Sequence, residues 1–253
     1  MAQSQLMLHC GARTVEETEL RGCQTPPPEG RWYPIAHARV LDTVRGTLAD
    51  AGYVVQSQKL ALSRGDQRFF GVLDLATPLV TEVTLAVGIR NSVDKSFPMG
   101  FTAGSRVFCC DNLAFRSELL VKRKHTRYGE QRFSAAITEA VTSLNGFRDL
   151  EAARIKRMML HHVNDDQADA IMLRAFEKGI VGAPLLPAII REWRNPRFED
   201  FQPRTAWSLL NAFTTVLGSR ALTRPHAYSA QTMRLNAFLC PDDAAETHLA
   251  QAT

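Results

Sequence analysis

From Thr81 to Arg90 the apolar residues of this chain recur at every second position, after strand-like runs at 53–62 and 68–75, whereas from Ile35 to Leu48 and again after Gln131 they recur at every third or fourth. A period of two fits a strand with one buried face, and a period of three to four fits a helix packed along one side. The switch therefore predicts a helix, then a sheet, then a helical half. Ile35, Ala38, Leu41, Val44 and Leu48 give the first helix, stopped by Asp50, Ala51 and Gly52. Tyr53–Leu62 and Arg68–Leu75 read as a hairpin around the turn residues 63–66. The alternation is cleanest at 81–90, with Val83, Leu85, Val87 and Ile89 on one face and Thr84, Ala86, Gly88 and Arg90 on the other. The second face is small until Arg90, and it suits either a ligand or the helix 35–50.

After a Gly/Pro-broken loop at 92–104, strands are expected at 105–110 and 119–124. Phe133, Ile137, Val141, Leu144 and Phe147 then open a series of helices. Asp165 and Asp166 read as a cap, Gly179 as a stop, and 185–194 and 205–217 as two further helices. The fold class is α+β: an N-terminal helix, an antiparallel sheet of three to five strands and a helical C-terminal half. The expected layout is a flexible arm over 1–33 carrying Pro26, Pro27 and Pro28, and a domain over 34–220. Within that domain lie the helix at 35–50, the sheet at about 53–124 and helices at about 131–218; a tail covers 221–253.

At 253 residues, 45% hydrophobic and 22% charged, the chain can bury a large core. It has no apolar run near the about 18 residues that cross a bilayer, and its first residues lack a basic stretch followed by an apolar one. The expectation is a cytoplasmic protein with no membrane partner. Five cysteines, two of them adjacent at Cys109 and Cys110, argue against a disulfide framework and a zinc knuckle. No GxxxxGK[ST] loop occurs, and no cofactor is expected.

Net charge is +4, and its location is informative. Arg116, Lys122, Arg123, Lys124, Arg127 and Arg132 face only Glu118 and Glu130 within one segment, an excess of four that equals the surplus of the whole chain. His125 and Tyr128 interleave with these cations, so bases can stack where phosphates are held. The same letters also describe a sheet edge guarded by lysines. Upstream, Arg90, Asn91, Ser92, Asp94 and Lys95 form a polar cluster with Asp111 and Asn112. Such groups between apolar strands need partners. Arg90 and Lys95 are candidate phosphate contacts, and Asn91, Ser92, Asp94, Asp111 and Asn112 are candidate structural groups. Ser92 or Ser96 beside Lys95 is also a nucleophile–amine pairing. His161 and Asp165 have the i, i+4 spacing of metal ligands, although a helix end followed by a cap gives the same letters, and no metal is expected.

The string VGIRNSVDKSFPMGFTAGSRVFCCDNLAF at 87–115, LysHisThr at 124–126 and AlaTrpSerLeuLeuAsnAlaPheThr at 206–214 together resemble the phage/plasmid-like family defined by domain of unknown function 932. The likeness spans roughly residues 35–220. It implies a protein carried by phages, plasmids and their hosts, with family polar positions at Arg90, Asn91, Ser92, Asp94, Lys95, Gly104, Asp111, Asn112 and His125. The order of elements is more remotely similar to the single-strand annealing recombinases of RecT and phage Beta type, which implies a ring- or filament-forming homo-oligomer holding one DNA strand in a basic groove. The expected function is single-stranded DNA binding of mobile-element, recombination or repair type. An enzyme, hydrolytic or nucleic-acid processing, built on 90–96 with Asp111 and Asn112 is the alternative, and a non-catalytic oligomeric scaffold is a third reading.

Overall fold

The computed structural model describes residues 13–63, 65–107, 113–221 and 225–239. Strands β1 (Arg13–Val15), β2 (Val55–Leu62), β3 (Arg68–Val80), β4 (Val83–Ser92), β5 (Met99–Val107) and β6 (Leu113–Arg123) form one sheet in chain order, each pair antiparallel. Helices α1 (Glu17–Gly22) and α2 (His37–Asp50) precede β2. Helices α3 (Gly129–Thr142), α4 (Leu144–Leu160), α5 (Asp165–Glu177), α6 (Leu186–Arg194), α7 (Ala206–Ala221) and α8 (Pro225–Leu239) follow β6. The α+β class and the helical C-terminal half are as the periodicity predicts.

The strand count differs: the sheet has six strands rather than three to five. The added strand β1 lies inside the segment expected to be a flexible arm, where α1 follows it. Only Val15 of β1 is buried, so three residues pairing with Leu60–Leu62 carry too little apolar pattern to announce a strand. A capping box between Glu16 and Glu19 starts α1, and Leu20 anchors it. Likewise α8 occupies residues expected to belong to the tail, with Leu235 and Asn236 buried.

Strand β5 begins at Met99, not at Ser105, and β6 at Leu113, not near Leu119. The glycines that read as loop have a packing reason. A Cβ on Gly100 would lie 2.9 Å from Cγ and Nε of Arg90, its cross-strand partner, so glycine lets the arginine lie across the strand. The β2–β3 turn is as expected, with Gly65 at φ 78° and the Ser63 N–H donating to Arg68 O at 2.9 Å.

Helix α2 packs on the large-residue face of the sheet. Val40, Leu41, Val44 and Leu48 are buried, and His37 meets Phe69 and Asn91, which share the face of Val83, Leu85, Val87 and Ile89. Each such aliphatic side chain contributes about 1.5–3 kcal/mol by leaving water, so the helix takes the face with most area to bury. The alternative that gives the small face to α2 is thereby corrected. One continuous apolar core runs from Val15 to Leu235.

One further boundary moves. Asn164, not Asp165 or Asp166, caps α5: its Oδ1 accepts the Gln167 N–H at 2.8 Å, and Gln167 returns a bond to the Asn164 N–H at 2.9 Å. Gly179, at φ 62°, follows α5 as expected.

Candidate nucleic-acid interface

Because the sheet is a meander, the end of β4, the start of β5 and the end of β6 lie at one edge of the molecule. Arg90 pairs with Gly100, and Gly100 with Lys122. Residues directly opposite share a face, and neighbouring strands lie about 4.8 Å apart, so Arg90 and Lys122 stand on one side of the sheet roughly 10 Å from each other. The polar loop 93–98 and the basic connection 124–128 leave the sheet at this same end.

Lys122, Arg123 and Lys124 are exposed, as are Arg127 and, in the first turn of α3, Arg132. Arg127 lies 5.9 Å from the ring centre of Tyr128, which is 58% exposed. Among the described residues, ion pairs near this end engage Arg39, Arg68 and Lys95, and none engages Lys122, Arg123, Lys124, Arg127 or Arg132. Glu130, the acid inside the basic run, is held by Arg39 of α2 at 2.6 Å. That pairing spans 91 residues and has no local sequence signal. Arg116 lies within β6.

His125 departs from its expected role. It is 6% exposed, so it does not present a ring to a base. Its Nδ1 accepts the Ile35 N–H at 3.3 Å, while its backbone carbonyl accepts the Tyr33 N–H at 3.2 Å. Asn91 donates from Nδ2 to Ile35 O at 2.8 Å and meets His37 Nδ1 at 2.9 Å. With His37 Nε2 3.1 Å from Asp66 O, the imidazole donates there and accepts from Asn91. The two histidines and Asn91 therefore fasten residues 33–35 between β4 and the basic connection. Burial, and secondarily the nearby His37, pushes the His125 imidazole down to about 4. Burial also lowers His37, against the opposing pull of the Asp66 carbonyl and the Asp66 and Asp94 charges.

The rest of the polar cluster is taken up separately. Ser92 Oγ donates to Phe97 O at 2.7 Å and accepts the Phe97 N–H at 3.1 Å, closing the loop. Asp94 accepts from Arg68 Nε at 2.7 Å, from the Ser96 N–H at 3.0 Å and from the Ser96 hydroxyl. Lys95, an expected phosphate contact, is engaged within the protein: its Nζ lies 2.5 Å from Glu29 and 5.0 Å from the centre of the Trp32 ring. Ser92 and Lys95 thus face different partners, and no nucleophile–amine pair forms between them. Asp111 and Asn112, with Cys109 and Cys110, lie outside the described residues. Gly104 sits in β5 between Ala86 and Phe115.

His161 ends α4 and Asp165 opens α5, so the i, i+4 spacing spans two helices, and Asp165 accepts from Trp193 Nε1 at 2.8 Å. No group of three or more metal-ligating side chains occurs among the described residues. No helix of the described residues is long and apolar enough to cross a membrane.

No protein-family model, curated protein or solved structure matches the chain.

Proposed function

We propose that this protein binds single-stranded DNA through the cations that run from the end of β6 into α3, as part of a mobile-element, recombination or repair system. The observation that carries the reading is the solvent-facing series Lys122, Arg123, Lys124, Arg127 and Arg132, unopposed by any carboxylate among the described residues, while Arg39 holds Glu130. Cations already committed to carboxylates release fewer counterions on binding a polyanion. Uncommitted ones give the full electrostatic gain. Tyr128, exposed and beside Arg127, supplies a ring for stacking. Lys95, committed to Glu29, contributes less than its sequence position implies.

The test is a fluorescence-anisotropy titration of a labelled oligo-dT at several salt concentrations. Log affinity should fall linearly with log salt. Replacing Lys122, Arg123 and Lys124 together by Ala should flatten the slope by about 2, since each single-strand phosphate contact contributes roughly 0.7. An unchanged slope and affinity in that variant reject the reading. Light scattering with and without the oligonucleotide tests the accompanying proposal that the bound form is a ring or filament of several copies.

A further inference from the structure

Residues 24–30 are exposed throughout, and 24–28 make no backbone–backbone hydrogen bond with the described residues. The Glu29 and Trp32 backbones then exchange two bonds of 2.9 Å, with Gly30 at φ 57° in the turn between them. Beyond this turn the chain is fastened: the Tyr33 N–H donates to His125 O, and Ile35 is bonded to both His125 and Asn91. The turn 29–32 is therefore a loosely tethered finger with its root at Tyr33. Its tip grips one cation. The Lys95 Nζ stands 2.5 Å from a Glu29 carboxylate oxygen and 5.0 Å from the centre of the Trp32 ring. Lys95 sits at φ 66°, a left-handed setting that few side chains other than Asn and Asp adopt. Residues in such settings persist where their surroundings hold them, and ligand clamps are a common place for them.

We infer that the turn 29–32 competes with nucleic acid for Lys95: the Glu29 carboxylate stands where a phosphate would, the Trp32 ring where a base would, and an incoming strand displaces both. The inference rests on the reading of the Lys122–Arg132 series as the phosphate track, and it adds a regulated contact to that track. Three features favour it. Lys95 lies at the end of the sheet where the track begins, since Met99 pairs with Arg123, and Tyr33, next to Trp32, is bonded to His125. Both side chains of the ion pair keep much of their surface in water, Lys95 50% and Glu29 74%, and a pair so exposed holds weakly enough for a polyanion to exchange with it. The Trp32 Nε1 donor is enclosed and meets no acceptor among the described residues, so the docked turn leaves a polar group unsatisfied that release would hydrate.

The experiment titrates labelled oligo-dT at several salt concentrations into the unaltered protein, Glu29→Gln, Lys95→Ala and the double variant. Glu29→Gln should tighten binding by about two- to fivefold, the scale of one exposed ion pair. Its salt slope should steepen by about 0.7, one more single-strand phosphate contact. The double variant should bind as Lys95→Ala alone does. No gain in Glu29→Gln, or an equal gain with and without Lys95, overturns the competition while the phosphate track stands. Loss of the salt response in the Lys122, Arg123 and Lys124 triple variant is the separate result that bears on the track. A second measurement needs no nucleic acid: trypsin cleavage after Arg31, exposed in the turn, should be faster in Glu29→Gln than in the unaltered protein. Equal cleavage rates show that Glu29 does not hold the turn down, and overturn the proposal. Faster cleavage in a protein that binds no oligo-dT rejects the track and the competitor role with it.

Discussion

At the scale of single residues, His125 shows how the same letter serves two roles that sequence cannot separate. Set among Lys122, Arg123, Lys124 and Arg127 it reads as a stacking ring, yet it is the buried acceptor for Ile35. Its neighbours in the chain gave no sign, because the partner sits 90 positions away. The consequence is a pH dependence with a definite sign. A folded pKa of about 4 lies below the ordinary 6.5, so between those values the unfolded chain binds a proton that the folded chain refuses. Stability is therefore full above pH 6.5 and declines as pH falls toward 4, by up to about 3 kcal/mol from His125, with His37 acting in the same direction. Urea unfolding at pH 7.5, 5.5 and 4.5 should show this loss. In His125→Phe the acid limb should flatten, and stability at pH 7.5 should drop by about 1–3 kcal/mol because the Ile35 N–H loses its acceptor. Parallel pH profiles in the two proteins would refute the assignment.

At the scale of elements, β2, β3 and β4 were legible as strand-like runs, β4 most clearly because Val83, Leu85, Val87 and Ile89 alternate along it and are all buried. Strand β5 was hidden by Gly100 and Gly104, and β1 and α1 by their brevity. The periodicity places the start of the helical half at Gln131, whereas α3 begins at Gly129. Gly129 is there because a Cβ would lie 2.8 Å from the Lys124 carbonyl oxygen, and its N–H donates to Thr126 O at 2.8 Å. The close approach folds the basic connection tightly against the helix. Gly129→Ala must push backbone against backbone, at about 1–3 kcal/mol. In contrast, Gly46 lies within α2, exposed, with nothing within 4 Å of a Cβ. Gly46→Ala should stabilise by about 0.5–1 kcal/mol, as alanine does in an open helix interior. Thermal melts of the two variants should shift in opposite directions. A matching shift would show that the Lys124–Gly129 contact is not a constraint.

At the scale of the whole molecule, the division into a sheet and a helical half was legible from periodicity, but the joint between them was not. The joint is made by contacts far apart in sequence. Tyr53 donates from its hydroxyl to Asn145 of α4 at 2.7 Å. Arg154 of α4, buried and paired with Glu151, reaches Asn236 of α8 at 3.5 Å, and α8 in turn packs on β6. With apolar side chains continuous from Val15 to Leu235, neither half can open without exposing surface of the other. Local opening should therefore be confined to the periphery, and the sheet and the helices should unfold together. The slowest-exchanging amides of β4 and those of α7 should then give the same opening free energy in native-state hydrogen exchange. Both should respond equally to added urea. A lower free energy and smaller urea response for α7 than for β4 would mean that the helical half is a separate cooperative unit, merely resting on the sheet that carries the cationic series.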